Sequence, residues 1–227
     1  MNLLLFEWRL WFRSKRLKQM LFSMSVLALL LPLQLISLSL SPLFIGLLLV
    51  VLISLFTQYA PFSLAINASF VEKQLTMPLS MFRILQTKYY FFAILSLFPL
   101  IFSLTVSFWT TFHFLNILSA FVFIIGFMFF GSFYCLLFSY KPFNIKTSAS
   151  YNFQGMDKGN HFFPILVLLI GAGFILLIYW LLGETVAIIL KTIIGLTFIA
   201  THRTWLNFIA KKIENKKYYR LERFRQN

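Results

Sequence analysis

Long apolar runs separated by short polar segments dominate the chain. Residues 20–59 contain no charged residue. A helix needs about 20 apolar residues to cross the hydrocarbon core of a bilayer, so this run is long enough for two crossings. The break between them falls at Ser41 and Pro42, because serine is a good helix N-cap and proline suits the first helical turn. The pattern therefore predicts spans one and two near residues 20–39 and 42–63.

The same pattern predicts four further spans. Residues 91–138 are long enough for spans three and four, with a polar divide at residues 111–113. Span five covers residues 164–182, a short turn follows at residues 183–184, and span six covers residues 185–204. We therefore expect an all-α integral membrane protein with six transmembrane helices arranged as three tight hairpins.

Segments outside the spans complete a single predicted domain. Residues 1–18 place Trp8, Trp11 and Phe12 at helical spacing beside charged residues, which indicates an amphipathic helix lying in the membrane interface. A simple extension of span one is the alternative. The membrane domain then covers residues 20–205, and residues 206–227 form a basic cytoplasmic tail.

A polar interruption at residues 72–90 separates spans two and three. Leu75, Leu79, Phe82 and Leu85 recur there at helical spacing, which predicts an amphipathic helix. Such a helix could rest on lipid, or it could present its apolar face to a soluble partner.

Composition and charge support a membrane protein. The chain is 60% hydrophobic and only 11% charged, whereas a soluble domain carries about 25% charged residues. All but one of the 20 Lys and Arg residues lie before span one, at or beyond the end of span six, or in the 2–3 and 4–5 connections. These segments share one side of a six-span topology, so the positive-inside rule places both termini in the cytoplasm. The net charge of +14 then indicates contact with anionic lipid rather than nucleic acid.

No catalytic or metal-binding pattern is present in the sequence. The phosphate-binding pattern GxxxxGK[ST] does not occur, and His113, His161 and His202 are far apart along the chain. Cys135 has no second cysteine with which to pair. We therefore expect no catalytic residue, no metal site and no cofactor in this chain, which is not an enzyme by itself.

Polar residues inside the predicted spans are candidates for a translocation path. Lys191 is the one ionisable residue deep in a span, and it lies two helical turns after Glu184. The alternative is that Lys191 extends outward to the headgroups or to Glu184. Hydroxyl and amide side chains also recur along one face of spans two and three. They could line a path, or they could instead join helices by hydrogen bonds. They are Ser96, Ser103, Ser107 and Thr110 in span three, and Ser54, Thr57 and Gln58 in span two.

Glycines in the spans indicate close helix packing. The pair Gly126 and Gly131 and the pair Gly171 and Gly173 lie within apolar runs. Small residues of this kind let membrane helices approach closely.

The stretch "MPLSMFRILQTKYY" resembles the segment between the second and third helices of ABC-2-type transporter permeases. In that family a proline, a hydrophobic residue and a serine precede a lysine ten residues after the proline, and Pro78, Leu79, Ser80 and Lys88 stand in this register. The resemblance implies a coupling helix that docks on a separate ATP-binding subunit, with Leu75, Pro78, Leu79, Phe82, Arg83, Leu85 and Lys88 as its residues.

A narrower resemblance is to a group of Bacteroidota ABC permeases. Their motifs match three parts of this chain: Lys73, Gln74, Leu75, Pro78, Ser80, Lys88, Tyr89 and Tyr90; then Ser148, Ala149, Asn152, Phe153, Gln154 and Gly155; then Lys217, Tyr218, Phe224 and Arg225.

The resemblance implies the permease subunit of an ATP-binding cassette exporter in a bacterial inner membrane. The expected partners are two copies of an ATPase subunit, which would hold ATP and Mg²⁺, together with a second permease subunit and membrane lipids. The expected substrate is hydrophobic or amphipathic. Two other classes stay open: a non-transport membrane scaffold that recruits a cytoplasmic partner, and an ion-coupled secondary transporter. The lack of carboxylates deep in the spans weakens the last of these.

Overall fold

A computed structural model describes residues 3–13, 80–110, 114–137 and 162–215 of the chain. No β-strand occurs within these ranges, so the predicted all-α class is confirmed for them. The elements, in chain order, are α1 (Leu3–Arg13), α2 (Met81–Thr110), α3 (Phe114–Phe123), a π-helical turn (Ile124–Met128), α4 (Phe129–Cys135), α5 (Phe162–Ala200) and α6 (His202–Asn215).

Several sequence predictions fall outside the described residues. These are the two spans predicted at 20–39 and 42–63, the connection between spans four and five, and the end of the basic tail. The first part of that tail, residues 206–215, belongs to α6. Its apolar face is buried in the hydrophobic core, through Leu206, Ile209, Ala210 and Ile213.

The predicted boundary between the amphipathic segment and span three is absent, because α2 is one helix of 30 residues without a break. The polar residues near Tyr90 do not end it, because they are compatible with a helix. For example, Thr87 donates its hydroxyl hydrogen to the Arg83 carbonyl oxygen at 2.8 Å. At about 1.5 Å per residue, α2 is about 45 Å long, which exceeds the hydrocarbon thickness of a bilayer.

The helices α2 and α4 run antiparallel. Tyr89, near the start of α2, packs its ring against Phe129 and Phe133 of α4, with ring centroids 5.8 and 6.3 Å apart. Only three residues separate the end of α2 from the start of α3. The chain from Met81 to Cys135 therefore forms a helical hairpin, as the sequence predicts for spans three and four.

The chain also reverses direction at Gly183, where φ is 79° and ψ is 174°. This backbone conformation is essentially restricted to glycine. In a straight helix, Gly171 and Gly195 would lie about 36 Å apart. Both nevertheless pack on one short segment, Gly171 against Met128 and Gly195 against Val122. The element α5 is therefore two helices folded back on each other, and the turn predicted at residues 183–184 is confirmed.

Within the described residues, two stretches are long and apolar enough to cross a membrane, judged by length and composition: Phe114–Cys135 and Leu177–Ala200. The second contains the turn at Gly183, so its uninterrupted helical part begins at Glu184. Most of the second stretch is exposed, whereas the core helix of a soluble protein would be largely buried. Exposed apolar faces of this size favour a membrane environment; here the face includes Leu177, Trp180, Val186, Ile189, Ile193 and Leu196.

The backbones of the π-helical turn and α5 touch at two glycines. A Cβ atom on Gly126 would collide with the carbonyl oxygen of Gly195, and one on Gly195 would lie 2.5 Å from the carbonyl oxygen of Val122. The prediction of close packing is confirmed for Gly126 and Gly171, but it is wrong for Gly173, which faces open space. The residue opposite Gly126 was not identified from the sequence.

We expect Gly126→Ala to lower the thermal unfolding midpoint of the purified protein, because its methyl group would meet backbone atoms that cannot rotate away. Overpacking of this kind costs about 1–3 kcal/mol. The midpoint can be followed by tryptophan fluorescence in detergent. Gly173→Ala is the matched control, and alanine should keep or raise the midpoint there because it is favoured over glycine within helices by about 0.5–1 kcal/mol. Equal midpoints for the two variants would contradict the contact.

Candidate functional site

Polar side chains from three helices meet at the end of the structure where α2 begins. We call this region the helix junction, and it consists of Glu7 of α1, Met81, Lys88, Tyr89 and Tyr90 of α2, and His202 and Glu214 of α6. The helices α1 and α6 are distant from α2 in sequence, and each contributes a hydrogen bond, an ion pair or a ring contact to the first three turns of α2.

A buried ion pair joins α1 to α2. Lys88 Nζ lies 2.8 Å from Glu7 Oε1, and the two side chains are 2% and 6% exposed. Trp8 adds an edge-to-face contact with Phe91, at 6.0 Å between ring centroids. Three large apolar side chains of α1 remain partly exposed: Leu5, Trp8 and Phe12. The amphipathic helix predicted at the N-terminus is thus present, and its one acidic residue is turned inward.

The N-terminus of α2 is capped from α6. The backbone N–H of Met81 donates to Glu214 Oε1 at 3.0 Å, across 133 residues of sequence. The first N–H groups of a helix have no partner within the helix, and a carboxylate there also interacts favourably with the helix dipole. Glu214 therefore fixes the position at which α2 begins relative to α6.

Two tyrosines hold the start of α6. The ring of His202 stacks on Tyr89, with centroids 5.4 Å apart. Its Nδ1 lies 2.8 Å from the Ile199 carbonyl oxygen, which can only accept, so Nδ1 carries a proton. Its Nε2 lies 3.1 Å from the Tyr90 hydroxyl, which donates when the imidazole is neutral. Burial, together with Tyr90, raises the pKa of Tyr89 to about 12, so its phenol stays protonated at physiological pH.

The residues assigned to the coupling helix divide between surface and interior. Arg83 is exposed and Phe82 is half-buried against the core. Leu85 is 0% exposed, and Lys88 is held in the ion pair, so both serve internal packing. The remaining predicted residues of this set lie outside the described part of the chain: Leu75, Pro78 and Leu79.

Among the predicted path residues, Lys191 is buried in a polar contact. Its side chain donates from Nζ to Asn116 Oδ1 of α3 and does not extend to lipid. Ser96 is also buried, and its hydroxyl donates to the Ala93 carbonyl oxygen of its own helix at 2.7 Å. Ser103, Ser107 and Thr110 lie in α2, whereas Ser54, Thr57 and Gln58 lie outside the described residues.

Sequence reasoning did not identify several partners in these contacts. Glu7 and Asn116 were visible as polar residues within apolar patterns, and this signal could have marked them as buried partners. Glu214 lies among basic residues near the end of the chain and carries no such signal. Within the described ranges, no group of three His, Cys, Asp or Glu side chains is placed to hold a metal ion.

A match to one family covers almost the whole chain. The sequence model of the family described as "Family of unknown function (DUF5687)" matches residues 2–227. No curated protein and no solved structure matches the chain. The function must therefore be argued from the residues themselves.

We expect Glu7→Gln to destabilise the protein, because it removes the carboxylate that pairs with buried Lys88. Breaking a buried ion pair from one side costs about 3–5 kcal/mol. The charge-reversed double variant Glu7→Lys with Lys88→Glu should recover part of that loss. The thermal unfolding midpoint measures both effects.

Arg9→Gln is the control for the ion pair, because Arg9 is an exposed residue of the same helix and should leave the midpoint unchanged. The single variants Glu7→Lys and Lys88→Glu should each lower the midpoint. If the double variant loses as much as the two single variants together, the two side chains do not form the coupled pair.

Proposed function

The chain belongs to the DUF5687 family, described as a family of unknown function, and from its residues we propose that it is the transmembrane permease subunit of an ATP-binding cassette exporter. A separate ATPase subunit, present in two copies, binds ATP and Mg²⁺ and hydrolyses the nucleotide. The permease moves a hydrophobic or amphipathic molecule across the bacterial inner membrane and contributes no catalytic residue of its own.

The observation that carries this proposal is the continuity of α2. The segment that resembles a coupling helix is not a separate element, because Met81 begins a helix that continues unbroken to Thr110. A continuous helix moves as a unit, whereas a flexible joint near Tyr90 would absorb a displacement at its start. A push by an ATPase near Arg83 would therefore reach the apolar part of the same helix.

The helix junction supports this mechanism. The ion pair between Glu7 and Lys88 ties α1 to α2, and the contact between Glu214 and the Met81 N–H ties α6 to α2. A movement of the start of α2 must therefore carry both neighbouring helices with it or break these contacts.

The docking surface that we propose is smaller than the motif alone suggests. Leu85 and Lys88 are buried inside this chain. The exposed positions at the start of α2 are Ser80 and Arg83, beside half-buried Phe82. A guanidinium forms bidentate ion pairs with carboxylates. An acidic groove on the ATPase is therefore the partner surface that fits Arg83.

The charges suit a cytoplasmic position for the helix junction. Five exposed basic residues lie on the helices that meet there, whereas the turn at Gly183 lies about 26 Å away along the second half of α5. Basic residues concentrate on the cytoplasmic side of membrane proteins. The five are Arg9, Arg83, Arg203, Lys211 and Lys212. In this proposal six spans form each permease subunit, both termini are cytoplasmic, and a second permease subunit completes the transporter.

We expect Arg83→Glu to reduce stimulation of the ATPase by the permease at least about tenfold, because it reverses a charge at the proposed interface, where close charge pairs are worth about 1.5 kcal/mol or more. The measurement uses an ATP-binding cassette ATPase subunit that co-purifies with this chain, reconstituted together with it in lipid nanodiscs.

Arg203→Glu makes the same charge change on α6 at the same end of the structure, and it should leave stimulation near the wild-type value. Equal effects of the two variants would contradict the proposed docking surface. If the purified chain forms no complex with any ATPase subunit, the exporter proposal fails. Recruitment of a partner by the basic C-terminal segment alone would then favour a scaffold, and uptake into vesicles driven by an ion gradient would favour a secondary transporter.

A further inference from the structure

A second polar cluster lies between α3 and α5, away from the helix junction. Lys191 is 3% exposed, Asn116 4% and Ser119 2%, although the surrounding helices are apolar. Lys191 Nζ donates to Asn116 Oδ1, and the Ser119 hydroxyl donates to the Asn116 carbonyl oxygen at 2.9 Å. Lys191 is eight residues beyond the Gly183 turn, or about 12 Å along the helix axis. This depth places it within the apolar layer of a bilayer-spanning helix.

Among the described residues, Lys191 contacts fewer acceptors than its ammonium group can use. An ammonium group has three N–H donors. Within the described part of the chain, Asn116 Oδ1 is the acceptor that Lys191 Nζ contacts. Glu184 acts on Lys191 electrostatically, but it lies two turns away on the same helix, at the edge of the apolar layer. The nearest partner of this buried ammonium is therefore a neutral amide, and a buried charge is costly without an opposite charge beside it.

The buried position also excludes the alternative in which Lys191 reaches the headgroup region. A lysine that extends along the lipid-facing surface keeps its ammonium in water and exposes its stem. Here the whole side chain is buried between two helices. Ionisable groups inside membrane proteins that face the helix bundle commonly mark substrate or ion pathways.

We propose that Lys191, oriented by Asn116, binds the acidic headgroup of an amphipathic substrate. This inference rests on the proposed transport function and names the substrate class: a molecule with one hydrophobic tail and a carboxylate or phosphate head. The anionic headgroup supplies the further hydrogen-bond acceptors and the negative charge that the Asn116 amide does not provide.

Access to the site requires that α3 and α5 separate at Asn116. The two helices touch through backbone atoms near Gly195, one helical turn beyond Lys191. Small residues at this contact let the two backbones approach closely. In this proposal the ligand site opens on the Asn116 side while the glycine contact is retained.

The test is direct binding to the purified full chain in phosphatidylcholine nanodiscs, without an ATPase. The probes are two fluorescent lysolipids with the same labelled tail, lysophosphatidic acid and lysophosphatidylcholine. We expect the acidic probe to bind at least about tenfold more tightly, because charge-assisted hydrogen bonds are the stronger class. Lys191→Met should abolish this preference. Lys211→Met, which removes an exposed lysine of α6, should leave the preference for the acidic probe unchanged.

Asn116→Asp separates a binding role from a structural one. The new carboxylate would pair with Lys191 inside the protein, so the thermal unfolding midpoint should not fall, whereas binding of the acidic probe should be lost. If Asn116→Asp binds the acidic probe as the wild type does, or if the wild type does not distinguish the two probes, the proposal is overturned. Displacement of the acidic probe by inorganic phosphate at comparable concentration would also overturn it, because the site would then recognise a free anion.

The binding assay needs no ATPase, so its result is independent of the exporter proposal. Loss of the ATPase complex with retained acidic-probe binding would remove the exporter and keep the site. The reverse result would remove the site and keep the exporter.

Discussion

A polar or charged group that leaves water needs a partner, and among apolar helices that partner commonly comes from another helix. In the described part of this protein, three such contacts across helix boundaries involve a charged side chain. Glu7 pairs with Lys88, Glu214 accepts from the Met81 N–H, and Lys191 donates to the side chain of another helix. Each contact fixes the rotation and the axial position of a helix, which non-directional apolar packing alone does not define.

Glycines determine the geometry between these fixed points. In lipid, apolar side chains gain little by leaving their surroundings for one another, so membrane helices associate largely through close packing. Gly126 and Gly195 bring two backbones into contact. Gly183 permits the reversal of direction that places both halves of α5 against the segment from Val122 to Met128. The protein thus places glycine at two different kinds of position: a helix crossing and a turn with positive φ.

The helix junction and the Lys191 site are linked through α4. The ring of Tyr89 packs on Phe129 and Phe133, and α4 continues through the π-helical turn into α3, which carries Asn116. In the transport cycle that we propose, a displacement of the start of α2 would therefore change the separation of α3 and α5. In the proposed cycle, the energy of nucleotide hydrolysis enters at one end of the structure and alters a buried cationic site near its middle.

Local pattern determined much of this protein. Apolar run lengths predicted helices within residues 91–137 and 164–200, and the short polar break predicted the turn at Gly183. Lys191 stood out in the sequence as the ionisable residue deep in a predicted span. The pattern did not predict that α2 continues through Tyr90, because a polar stretch can end a helix or remain helical once its side chains are paired. Nor did it assign Leu85 to the interior, since an apolar face has the same sequence spacing whether it packs on its own chain or on a partner. Tertiary structure decided which groups meet, as with Glu214 and Met81, because helical periodicity repeats every few residues and contains no information on contacts between distant segments.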